Sequence, residues 1–121
     1  MEIHSYQDLI VWQKSIDLVV AVYDLTDQFP KSEIYGITSQ MRRAAVSIPS
    51  SIAEGRRRSS TKDYRHFLTI SFGSGSELET QIVICKRLKF GKGLNYTTVD
   101  QLLNEVMKML NTMVYNMRDE S

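Results

Sequence analysis

Four stretches of the chain repeat apolar residues every three or four positions, and none sustains the alternation of a half-buried strand. In the first, Leu9, Trp12, Ile16, Val19 or Val20, Tyr23 and Leu25 recur at helical spacing while Asp8, Lys14, Asp17 and Asp24 fall elsewhere. This predicts an amphipathic helix of about 20 residues that ends near Phe29, because Pro30 disfavours helix in the residue before it. The second stretch starts around Ser32, with Glu33 suited to the positive end of a helix. Its stripe is Ile34 or Tyr35, Ile37, Met41, Ala44 or Ala45, Ile48 and Ile52, and Gly55 is the expected stop. Pro49 lacks an amide hydrogen and crowds the carbonyl of Ala45, so a bend is expected there.

The third stretch opens on Ser60 or Thr61 with Asp63 following, the order of a capped N-terminus. It carries Tyr64, Phe67, Leu68, Ser71, Phe72, Gly75, Leu78, Ile82, Cys85 and Leu88 before Gly91. The fourth follows GKGLNYTT, with Thr98 as the expected cap, and carries Val99, Leu102, Leu103, Val106, Met109 or Leu110, Met113 and Met117. Four such helices on short turns bury their stripes only against one another, so the pattern predicts an all-α, up-down-up-down four-helix bundle with a long second helix kinked at Pro49. Residues 1–121 make one domain, since 121 residues support a single sizeable core. Gly73 and Gly75 each cost about 1 kcal/mol in mid-helix, and the expected compensation is close approach of the small-residue stretch Ala44 to Ser51.

Composition narrows the picture little: 42% hydrophobic and 24% charged residues suit an ordinary globular protein. No apolar run approaches a membrane span, and the acidic, amphipathic N-terminus is unlike a secretory signal, so a cytoplasmic location is expected. The single cysteine, Cys85, excludes an internal disulfide. Net charge is +1, but it is unevenly distributed. Arg42 to Lys92 holds eleven bases against four acids, a net of +7, and the rest of the chain holds four bases against ten acids, a net of −6. Such a partition makes either an electropositive face or complementary charge that pairs within the fold or an oligomer.

Candidate chemistry is sparse. SFGSGSE lacks the lysine-serine or lysine-threonine ending of a phosphate loop, and Glu77 and Glu79 point apart on a helix. His4 and His66 have no neighbouring ligands, so neither a metal nor a cofactor is expected, and nothing at useful spacing suggests an enzyme. Cys85 and the methionines of the last stretch fall at core positions. What remains is a basic group, Arg56, Arg57, Arg58, Lys62 and Arg65, which is either a solvated turn or a cluster that neutralises phosphates. Eleven residues return a helix nearly to the same face, so Arg43 and Glu54 are expected to pair.

Four motifs, DLIVWQ at Asp8 to Gln13, FPKSEIYG at Phe29 to Gly36, QMRRAAVSIPSSIAEG at Gln40 to Gly55 and GSGSELETQ at Gly73 to Gln81, resemble the proteins encoded in intervening sequences of bacterial 23S ribosomal RNA genes. That family also includes accessory proteins of diversity-generating retroelements, and the resemblance runs from Tyr6 to about Leu110. It implies a bundle assembled into a ring, a homopentamer in the best-known members, with a positive surface and no catalysis. It further implies partners among RNA, DNA or a nucleic-acid-bound protein, or else a protein-interaction scaffold without nucleic-acid affinity. Arg42, Arg43, Pro49, Glu54, Gly55, Gly73 and Gly75 would then serve structure and assembly, and Arg56, Arg57, Arg58, Lys62 and Arg65 the polyanion. Net charge near neutral sets this chain apart from the very basic retroelement branch.

Overall fold

A computed structural model describes residues 5–117, which contain four α-helices and no strand. They are α1 (Ile10–Thr26), α2 (Ile37–Arg56), α3 (Thr61–Arg87) and α4 (Thr97–Asn116), with short 3-10 turns at Tyr6–Asp8 and Lys31–Glu33. Contacts run α1 to α2, α2 to α3, α3 to α4 and α4 back to α1, and the diagonal pairs do not meet. This is a four-helix bundle in which each helix lies between its two neighbours. The start of α1, the α2–α3 turn and the end of α4 therefore share one end of the bundle, and the α1–α2 and α3–α4 connections share the other.

The core is built from Leu18 and Val22 of α1, Met41, Ala45, Ile48 and Ile52 of α2, Leu68, Leu78 and Ile82 of α3, and Val106 and Leu110 of α4. On α1 the inward face is Val11, Ser15, Leu18, Val22 and Leu25, spaced four and three apart. The expected stripe is thus rotated: Ile16, Val20 and Tyr23 are exposed, and Leu9, Trp12 and Val19 only flank the core. The apolar arc of this helix is wider than the face it buries, so periodicity alone leaves its phase open.

Other boundaries move for local reasons. The 3-10 turn at Lys31–Glu33 and the non-helical backbone of Gly36 hold α2 back to Ile37, leaving Ile34 exposed and Tyr35 at 95% exposure rather than in the stripe. Gly55 is not the stop but a buried residue inside α2: a Cβ there would lie 2.6 Å from Phe67 Cβ, so it permits the close crossing of α3. The helix runs unbroken through Pro49, which is buried. Ser60 caps α3 by accepting a hydrogen bond from the Asp63 amide at 3.1 Å, as expected. At its other end α3 stops at Arg87, before Gly91. α4 begins one residue before Thr98, with the Asn95 side chain accepting from the Thr97 amide.

The small residues of α2 and α3 do meet, but not through Gly73 or Gly75. Ser71 Oγ donates to the Ile48 carbonyl at 2.8 Å, and Ser74 and Ser47 hydroxyls bond at 2.9 Å. Gly75 instead makes room for Met107 of α4, and Gly73 faces open space. Cys85 is buried with its Sγ 3.6 Å from Met41 Sδ, and burial, with the charge of Glu33 adding to it, pushes its thiol up to about 11.

Candidate nucleic-acid interface

The α2–α3 turn is held by two packed helices, and its consecutive arginines leave the end of α2 in different directions. Each one comes to lie over an aromatic ring. Arg56 is 6.0 Å from the Tyr64 ring centroid, Arg57 is 5.3 Å from Tyr6, and Arg58 is 4.9 Å from Phe67. Tyr6 in turn meets Trp12 edge-on at 5.4 Å, and His66 meets Phe67 at 5.6 Å. Three chain segments therefore converge: the first turn, the end of α2 and the start of α3. Burial pushes the Tyr64 phenol up, with the Arg56 guanidinium pulling the other way. Helical spacing places Tyr64 and Phe67 in the core stripe, and nothing in it links Tyr6 to an arginine some fifty positions away.

The five expected cations are not equivalent. Arg58 forms an ion pair with Glu54 one turn back. Arg65 is partly buried, its Nε donating to the Val114 carbonyl of α4 at 3.3 Å. Arg56, Arg57 and Lys62 carry no ion pair among the described residues, and Arg57 and Lys62 are exposed. The expected Arg43–Glu54 pair does not form, because eleven residues separate the two by about 16 Å along the axis even though the face is shared. Arg43 is exposed on α2 and lines a groove with Gln40, Ser47, Ser74 and Glu77. Arg42 ties α2 to α1: its Nε donates to Thr26 Oγ1 and a terminal nitrogen to Asp27 Oδ1, both at 2.9 Å, and its guanidinium lies 4.3 Å from the Tyr23 ring centroid.

The basic half of the sequence is not one surface. Its bases Arg87, Lys89 and Lys92 lie at the far end of α3, a helix of 27 residues and so about 40 Å long. Part of the excess is consumed inside the protomer, since Asp27 neutralises Arg42 and Asp100 neutralises Lys86, both acids from outside the basic stretch. An open groove of about 680 Å³ between the starts of α1 and the last turns of α4 is lined largely by apolar residues, Met109 and Met113 among them. Among the described residues no group of three His, Cys, Asp or Glu side chains could hold a metal ion, and no helix is long and apolar enough to cross a membrane. His4 lies outside the described residues.

Comparison with known proteins completes the site's context. The family model described as 23S rRNA-intervening sequence protein matches residues 7–112, which takes in all four helices but for the last residues of α4, and the chain belongs to that family. No curated protein matches it.

Proposed function

We propose that this member of the 23S rRNA-intervening sequence protein family is a non-enzymatic cytoplasmic protein that assembles into a ring of copies and offers the α2–α3 end of each bundle to RNA or DNA. The observation that carries the reading is the convergence of Arg56, Arg57, Arg58 and Lys62 at one end, where among the described residues Glu54 alone forms an ion pair with the group. Cations left unpaired on a rigid end release counterions from a phosphate backbone when they bind it. Assembly is supported by apolar side chains that the protomer leaves outside: Ile16, Val20 and Tyr23 on α1, with Ile34 and Val46 beside Tyr23, Val20 being 56% exposed. The family resemblance makes five copies the expected number.

Filter binding at low salt tests the proposal. Changing Arg56, Arg57 and Arg58 together to Glu should abolish retention of an RNA or DNA oligonucleotide while the helical circular dichroism persists; undiminished retention would overturn it. A second reading, a protein-interaction scaffold without nucleic-acid affinity, draws on the internal pairing of Arg42 and Lys86 with acids from elsewhere in the chain. It predicts a stable oligomer that retains no nucleic acid at any salt concentration.

A further inference from the structure

We infer that the nucleic acid taken at the α2–α3 end is single-stranded, read through stacking of unpaired bases on the arginine–aromatic pairs; this rests on the polyanion reading above. Three guanidinium groups lie over three rings from two segments, the first turn and the start of α3: Arg57 over Tyr6, Arg58 over Phe67 and Arg56 over Tyr64. An arginine plane and an aromatic face both stack on a base, and an arginine held over a ring loses less freedom on doing so. A duplex hides its base faces in its own stack and offers this end only phosphates.

Charge count decides the same way. Duplex binders of useful affinity neutralise about six to ten phosphates. Here Arg58 is paired with Glu54, and Arg65 keeps its charge but is partly buried against the Val114 carbonyl, which leaves Arg56, Arg57 and Lys62 to meet phosphates directly. Three such charges on each bundle are few for one bundle to hold a duplex alone, whereas each stacked base strengthens single-strand binding by roughly tenfold and needs no particular sequence. The geometry is also wrong for a groove reader. Arg56, Arg57 and Arg58 are consecutive at the end of a helix and lean on rings of α3 and of the first turn, whereas a helix entering a major groove lines its contacts along one face.

Fluorescence anisotropy with the full chain tests this, using a labelled mixed-sequence RNA of about twenty nucleotides, alone and annealed to its complement. The expected result is single-strand affinity about tenfold or more above duplex affinity. Tyr6→Ala should lower single-strand affinity roughly tenfold without changing its salt dependence, and Tyr6→Phe should restore it. Equal or tighter duplex binding overturns the single-strand inference and leaves the polyanion reading standing. Absence of binding to both forms at low salt overturns the two together. The comparison of strands needs no variant, so it stands even if Tyr6→Ala disturbs the packing against Trp12.

Discussion

Among single residues, the glycines separate what close packing requires from what it does not. A methyl group at Gly55 would collide with the Cβ of Phe67, which sits next to the backbone and cannot swing away. Gly55→Ala should therefore destabilise the bundle by about 1–3 kcal/mol, read as a lower urea midpoint. Gly73 has open space around it, so in a dilute monomer Gly73→Ala should stabilise by roughly 0.5–1 kcal/mol through helix propensity alone. The sequence reads Gly55 as a helix stop and Gly73 as a close-packing residue, and the fold reverses the two because the neighbour of each glycine is set by how the helices cross. Cys85 was legible from its stripe: with the thiol buried and its pKa raised to about 11, alkylation at pH 8 should wait for unfolding.

On the scale of helices, number, order and capping at Ser60 follow from periodicity and turn chemistry. The rotation of α1 does not, since its apolar residues outnumber what one face buries, and the surplus (Ile16, Val20, Tyr23) becomes visible only once α2 and α4 have taken their places. The α1–α4 contact also carries a titratable link. The Lys14 ammonium hydrogen-bonds Glu105 and, with Gln101, holds its carboxyl below the usual glutamate range. A lowered folded-state pKa contributes stability that is complete above the ordinary value of about 4.5 and is lost as pH falls through the lowered one. Glu105→Gln should accordingly flatten the stability–pH curve in the acid limb below that value, with no effect on the curve's shape near pH 7. At the far end of the same helix, Arg65→Ala should leave the Val114 carbonyl with the Met117 amide as its remaining donor and speed amide exchange in the last turn of α4.

For the whole molecule, the charge partition legible in the sequence resolves into two ends and several internal pairs, not one basic face. Clustering of Arg56 to Arg58 was legible because the residues are adjacent; their aromatic partners were not, because Tyr6 reaches the turn only through the fold. The exposed stripe on α1 gives the assembly its own test: light scattering should find a multimer, and Val20→Asp should shift it toward monomer with its helical content kept. The most direct measurement of the central claim is the dependence of RNA affinity on salt. With Arg56, Arg57 and Lys62 engaged, log affinity for a single strand should fall against log salt with a slope of about −2, and changing Arg56, Arg57 and Arg58 together to Glu should abolish binding. A flat slope, or affinity that survives that change, would contradict the account.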